Sequence, residues 1–86
     1  METLILNDGT EVTGHCMEDD INLFVYLDGM TVPQGVALFS DPQKTVRITA
    51  LNHGETHLYE NYTDVYSASH EFGNCNLIMR RSQTNA

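Results

Sequence analysis

Turn signals recur along this chain every eight to twelve residues, and the segments between them alternate apolar and polar side chains. A strand places successive side chains on opposite faces, so this period of two is typical of an antiparallel β-protein. The clearest signal is Asn7-Asp8-Gly9, which lies between residues 3–6 and 10–17. Glycine accepts the positive φ that tight hairpin turns require, so we predict a β-hairpin here.

The same pattern predicts further strands over residues 21–27, 45–51, 56–60, 65–70 and 75–80. In residues 21–27, aliphatic side chains fall on one face and Phe24 and Tyr26 on the other. Both faces of this strand therefore carry apolar or aromatic side chains that can be buried. We expect it to be a central strand of the sheet.

Residues 31–40 break the pattern and carry helix signals. Thr31 offers a hydroxyl N-cap, Pro33 falls in the first turn, and Gln34 completes a capping box. Apolar residues then recur at spacings of four and three, at Val32, Val36 and Phe39. Asp41-Pro42 is expected to end the segment. The sequence predicts one short helix of about two turns.

These elements together predict a mainly β protein: a small antiparallel β-barrel or curved sheet of about six to seven strands with one short helix. With 86 residues, we expect a single compact domain over residues 1–80 and a polar tail over residues 81–86. Cys16 and Cys75 are expected to be free, buried thiols, since no export signal accompanies them.

Charge is distributed unevenly along the chain. All four Lys and Arg residues lie at or beyond Lys44, whereas eight of the twelve Asp and Glu residues precede it, and the formal net charge is −8. Such a field repels nucleic acid and anionic membranes and attracts basic protein surfaces. We therefore expect neither nucleic acid nor membrane as a direct partner, but the basic surface of a nucleic-acid-handling protein.

Catalytic and metal-binding patterns are weak. His53 and His57 have a zinc-ligand spacing, but Gly54 places them across a turn, and no Cys-x2-Cys motif accompanies them. His15 and Cys16 are adjacent, so on a strand they point to opposite faces. The sequence also lacks a Gly-x-Ser-x-Gly elbow. We expect a non-enzymatic protein without metal or cofactor; an enzyme or ligand-sequestering pocket would instead require buried His and Asp clustered in the fold.

Three features carry a resemblance that covers most of the chain: a Leu-x-Asn/Asp-Gly-Thr opening at residues 6–10, a Leu-Phe-Ser-Asp-Pro-x-Lys-Thr helix exit at residues 38–45, and a Tyr-x-x-Tyr-Thr element at residues 59–63. With them the chain resembles a group of small uncharacterised proteins of phages and prophages of Gram-positive bacteria. Asn61 stands where that group is expected to have Gly. The resemblance implies a virion accessory protein or an inhibitor of a host system, and it transfers no catalytic residue.

Two functions follow as expectations. The first is a stoichiometric inhibitor of a host defence system, of anti-CRISPR type, acting in the host cytoplasm as an acidic nucleic-acid mimic. Its candidate binding residues are Glu11, Glu18, Asp19, Asp20 and Asp28, with Phe24 and Tyr26 as anchors. The second is a virion or tail-associated module that forms homo- or hetero-oligomers through a sheet edge or an aromatic face. A purely solubilising role for the acidic half is the alternative to both.

Overall fold

A computed structural model describes residues 2–81 as one antiparallel sheet with two short helices. In chain order the elements are β1 (Glu2–Leu6), β2 (Glu11–Glu18), β3 (Asn22–Leu27), α1 (Val32–Phe39), α2 (Pro42–Thr45), β4 (Arg47–Asn52), β5 (Glu55–Glu60), β6 (Asp64–Glu71) and β7 (Asn74–Arg80). The predicted mainly β fold with a short helix is therefore confirmed.

The sheet has the order β5-β4-β1-β2-β3-β7-β6, and every neighbouring pair is antiparallel. The prediction that β3 is an interior strand is confirmed, because it pairs with β2 and β7. Across seven antiparallel strands the two edges, β5 and β6, run in the same direction. Closing the sheet would require them to pair in parallel, which takes a crossover of roughly a dozen residues. Only residues 61–63 join them, so the curved sheet is correct and the closed barrel is wrong.

The core lies against the inner face of the curved sheet. Its strand residues are Leu4, Leu6, Cys16, Leu23, Val25, Leu27, Ile48, Ala50, Cys75, Leu77 and Met79, and Phe39 and Tyr62 complete it from outside the sheet. Ile21 was expected on the same face as Leu23 but is exposed. The Asp19 carboxylate accepts from the backbone N–H of Ile21 at 2.9 Å, which holds Ile21 in the turn before β3.

Helix α1 begins as its sequence predicts. The Thr31 hydroxyl accepts from the Gln34 backbone N–H, and the Gln34 side chain accepts from the Thr31 N–H, which completes the capping box. Gly35 lowers helix propensity, but it lies where a Cβ would come within 2.6 Å of Cys75 Sγ. The glycine therefore lets α1 pack closely on β7.

The sequence analysis did not predict the second helix, α2. Asp41-Pro42 was expected only to end the first helix and to be followed by a strand from residue 45. The Asp41 carboxylate instead accepts from the Gln43 N–H at 3.0 Å, and Pro42 opens a new helical turn. An acidic N-cap followed by Pro is itself a helix start signal, and β4 accordingly begins at Arg47.

Two hairpins use two-residue turns in which both central residues have positive φ, at His53-Gly54 and Phe72-Gly73. This is the type I′ geometry, whose twist matches that of the flanking strands. Asn61 also has a positive φ, of 69°. Asn is among the non-glycine residues that adopt this conformation most readily.

Cys16 and Cys75 are free and buried, as predicted. Arg81 was assigned to the polar tail but contacts the folded domain, whereas residues 82–86 of that tail lie outside the described residues. None of the helices in residues 2–81 has the length and apolar character needed to cross a membrane.

Gly14 supplies a direct test of how closely β2 and β3 pack. It is buried opposite Leu27, and an added Cβ would overlap the backbone carbonyl oxygen of Tyr26. We expect Gly14→Ala to lower the free energy of unfolding by roughly 1–3 kcal/mol, because backbone cannot move aside as a side chain can. Urea unfolding measures this, with Thr13→Ala at the exposed neighbouring position as the control. Equal effects of the two substitutions would contradict the predicted close approach.

Candidate protein-binding surface

Glu18, which is predicted to bind a partner, makes side-chain contacts within the domain. Its carboxylate accepts a hydrogen bond from the Tyr62 hydroxyl and lies 3.5 Å from Arg81 Nη2. The Arg81 guanidinium lies over the Tyr62 ring, 4.5 Å from its centroid, and its Nε donates to the Glu60 carbonyl at 3.4 Å. Glu18, Tyr62 and Arg81 thus connect β2 with the end of β5 and the end of β7.

The environment of Tyr62 favours the neutral phenol. Burial, followed by the hydrogen bond to Glu18 and the charge of that carboxylate, raises the pKa of Tyr62 to about 12. An ionised phenolate here would be buried beside a carboxylate, an arrangement that costs free energy. The hydroxyl therefore remains a hydrogen-bond donor to Glu18 at neutral pH.

Asp19 also has a local structural role, whereas Asp20 does not. The Asp19 carboxylate accepts from the backbone N–H groups of Asn22 and Ile21, and these bonds lower the pKa of Asp19. Asp20 is exposed in the same turn. Of the three consecutive acids predicted as a binding cluster, the turn therefore leaves Asp20 as the one without a structural hydrogen bond.

Glu11 and Asp28 lie at the opposite end of β2 and β3 from that turn. Glu11 begins β2 and Glu18 ends it, so about seven strand residues, or roughly 23 Å, separate them. The Asp28 N–H donates to the Thr13 carbonyl, which places Asp28 near Glu11. The five predicted acids consequently fall into two separate groups and do not form one continuous array.

Phe24 and Tyr26 both lie on the sheet face opposite the core. We call this face of β2, β3, β7 and β6 the outer face. Phe24 is flanked by Met17 on β2 and Ile78 on β7 in the strand register, and Tyr26 is flanked by His15 and Asn76. Met17 and Ile78 were missed by the sequence analysis, because their contribution depends on a register that pairs strands distant in sequence.

Tyr66 joins the same face through a β-bulge. The register of β6 against β7 shifts between Val65 and Ser67, with Tyr66 as the inserted residue. Its ring lies under the Arg80 guanidinium, with 3.5 Å between Arg80 Cζ and the ring centroid, and Arg80 Nε donates to Asn22 Oδ1 at 2.9 Å. Bulges redirect side chains in this way, and this one adds an exposed aromatic ring to the outer face.

A buried carboxylate supports the His15 side of this surface. Glu2 Oε2 lies 2.7 Å from His15 Nδ1 and accepts from the Cys16 N–H at 3.3 Å. The His15 ring stacks on Tyr26, with 6.1 Å between centroids. Burial, with a smaller contribution from Glu2, raises the pKa of the Cys16 thiol to about 12, so this cysteine remains a thiol at neutral pH.

Most carboxylates in residues 2–81 have a partner within the domain, either a basic side chain or backbone N–H groups. Five have neither in the described part of the chain: Glu11, Asp20, Asp28, Asp64 and Glu71. Four of them lie on or next to strand ends of the outer-face strands, and Asp20 lies in the turn that joins β2 and β3. The outer face is therefore an apolar and aromatic patch that carries the Arg80 guanidinium over Tyr66 and has unpaired carboxylates near the ends of its strands.

His, Cys, Asp and Glu side chains within residues 2–81 do not form a group of three or more that could hold a metal ion. His57 Nε2 lies 3.5 Å from the Glu55 carboxylate, at the exposed edge of the sheet. The chemistry available on the outer face is thus that of apolar contact, aromatic stacking, the Arg80 guanidinium and, near the strand ends, negative charge.

Comparisons with protein-family models, curated proteins and solved structures find no match to this chain.

The Tyr62 hydroxyl gives a pH-dependent test of this arrangement. We expect Tyr62→Phe to be less stable than the wild type at pH 7 by about 1 kcal/mol, the usual net value of a lost hydrogen bond. The raised pKa of about 12 means that this contribution is present below the unfolded pKa of about 10 and is lost as pH rises through about 12.

Urea unfolding at pH 7, 9, 10.5 and 11.5 measures this difference. Phe cannot ionise, so the stability gap between wild type and Tyr62→Phe should narrow above about pH 10. Thr13→Ala, at an exposed position without an ionisable side chain, is the control, and its difference in stability from the wild type should not change with pH. A gap for Tyr62→Phe that stays constant up to pH 11.5 would contradict the buried hydrogen bond.

Proposed function

We propose that this chain is a non-enzymatic module that binds another protein stoichiometrically through the outer face. The observation that supports this best is the outer-face patch, in which Met17, Tyr26 and Tyr66 are exposed and Phe24 and Ile78 are half-buried, with unpaired carboxylates of the described chain near the ends of its strands. The complementary partner surface has an apolar centre and a rim of Lys and Arg. This partner chemistry agrees with the formal net charge of −8.

The exposure of the patch favours binding over a purely structural role. Met17 is 55% exposed and Tyr66 is 61% exposed, so much of their apolar area does not contribute to folding. Aromatic and methionine side chains are enriched in the centres of protein interfaces, where removal of water makes their burial most favourable. The surrounding carboxylates would speed association with a basic partner and make it sensitive to salt.

The biological setting is proposed from the sequence. The resemblance to phage and prophage proteins favours an inhibitor of a bacterial defence system, of anti-CRISPR type, acting in the host cytoplasm on a nucleic-acid-handling protein. The internal contacts of Glu18 and Asp19 argue against an array of consecutive carboxylates that imitates phosphates. We therefore assign the electrostatic part of binding to Glu11, Asp20 and Asp28, and the apolar part to Phe24, Tyr26 and their register neighbours.

A virion or tail-associated oligomer is the second candidate, and a different surface favours it. Leu51 on β4 and Leu58 on β5 are 40% and 49% exposed beside the unpaired edge of β5. Apolar side chains next to a free strand edge are suited to pairing with another chain. Assembly there would depend on apolar contact and backbone hydrogen bonds, so it would persist at high salt.

The test is affinity capture from a bacterial lysate at low and high salt. One variant removes apolar character from the outer face (Met17→Gln, Tyr26→Gln and Tyr66→Gln). Its matched control removes apolar character from a turn and from the β4–β5 surface (Ile21→Gln, Leu51→Gln and Leu58→Gln). We expect a partner bound by the wild type at low salt and released at high salt, bound by the control variant, and bound at least about tenfold more weakly by the outer-face variant.

Charge reversal separates the electrostatic contribution. Asp20→Lys with Asp28→Lys should weaken capture mainly at low salt, because screening already removes the attraction at high salt. A partner retained equally by the outer-face variant would contradict the proposed surface. Loss of a salt-resistant self-assembly in the control variant alone would instead support the oligomeric module.

A further inference from the structure

Phe72 has the most exposed side chain of the large apolar residues at the surface of residues 2–81. Its exposed fraction is 93%. It lies at the tip of the β6–β7 hairpin, between Glu71 and Gly73. A ring at this exposure packs against almost nothing in its own domain. Its apolar area therefore contributes little to the stability of the fold.

The backbone conformation at Phe72 is also unfavourable for the stability of the monomer. Its φ of 51° lies in the left-handed region, and it occupies the first central position of a type I′ turn. Asn, Asp and Gly are preferred there, because a larger L-residue is strained in that conformation. The equivalent position of the β4–β5 hairpin is His53, with φ of 48°, which is a polar residue.

Neither the exposed ring nor its strained backbone stabilises the monomer, so a contact outside the monomer best accounts for both. We infer that Phe72 is an anchor that inserts into an apolar pocket of the protein partner. This inference rests on the proposed function, since it assigns an anchoring residue to the same binding module. Aromatic side chains that fill a partner's pocket are typical of the residues that dominate interface energetics.

Charges near the hairpin tip define the rim of that pocket. Glu71 precedes Phe72 and has no ion pair within the described residues. Asp28 is close by, because the neighbouring Gly29 N–H donates to Asn74 Oδ1 at 3.4 Å. These carboxylates would face Lys or Arg at the edge of a protein pocket, and they would be repelled by an anionic lipid surface.

A stability measurement distinguishes an anchor from a residue that the fold requires. Phe72→Asn should raise Tm by roughly 2–5 °C, because Asn accepts the left-handed conformation more readily than Phe. His53→Asn, at the equivalent turn position, should raise Tm by less, because His accepts this conformation more readily than Phe does. A fall in Tm for Phe72→Asn would show that the ring stabilises the monomer. It would overturn the inference that Phe72 serves a contact outside the monomer.

Site-specific photo-crosslinking then tests the anchor itself. The probe p-benzoylphenylalanine is placed at position 72, at position 53 as the matched turn control, and at position 17 on the outer face. Each protein is irradiated in a bacterial lysate with excess unlabelled competitor, either wild type, Phe72→Asn or His53→Asn. We expect a discrete adduct from position 72 that wild type and His53→Asn suppress, with roughly tenfold more Phe72→Asn needed for the same effect.

The outcomes separate the anchor from the proposed function. A competed adduct from position 17 with none from position 72 would overturn the anchor and retain the outer-face module. Absence of a competed adduct from both positions would overturn both proposals. Equal suppression by Phe72→Asn and wild type would also overturn the anchor. Flotation with phosphatidylcholine vesicles completes the test, because vesicle binding that Phe72→Asn abolishes would replace the protein pocket with a lipid surface.

Discussion

The contact among Tyr62, Glu18 and Arg81 holds together a sheet that its own topology leaves open. The antiparallel order places β5 and β6 at the two edges, running in the same direction, and residues 61–63 are too short for a parallel crossover between them. Buried Tyr62 lies in this link and bonds to Glu18 at the end of β2. The curvature that encloses the core therefore depends on side chains where a closed barrel would use backbone hydrogen bonds.

Contacts of this kind reduce the number of carboxylates that residues before Lys44 can offer to a partner. Several carboxylates that look available in the sequence are used within the domain: Glu2 bonds to His15 and the Cys16 N–H, Glu18 to Tyr62, and Asp19 and Asp41 to backbone N–H groups. Within residues 2–81, the carboxylates left without such partners lie near the ends of the strands that carry the apolar patch. A surface of this composition suits a basic protein partner with an apolar centre better than it suits imitation of a phosphate backbone.

Local signals allowed much of the fold to be predicted. The alternation in residues 21–27 placed Leu23, Val25 and Leu27 correctly, and the capping box at Thr31 located α1. The prediction was wrong where two readings of one motif competed, as at Asp41-Pro42, which both ends α1 and begins α2. Ile21 was misplaced because a side-chain hydrogen bond from the preceding turn overrode the alternation.

The candidate site was less accessible to sequence reasoning. Phe24 and Tyr26 were identified from the alternation along one strand, but Met17 and Ile78 enter only through the pairing of β3 with β2 and β7. Tyr66 reaches the outer face through a bulge that leaves no clear sequence signal. The internal role of Glu18 depends on Tyr62, 44 positions away. Charge counted along a sequence therefore overstated the charge available for binding.

Native-state hydrogen exchange in wild type and Tyr62→Phe tests most directly whether this side-chain contact holds the open sheet in its curved form. We predict that amides in the β4–β5 pairing exchange faster in Tyr62→Phe, by roughly fivefold for a lost hydrogen bond of about 1 kcal/mol, while amides of β3 are unchanged. That pattern would show local release of the β5 edge. An equal change throughout the sheet, or unchanged exchange in β5, would contradict the account.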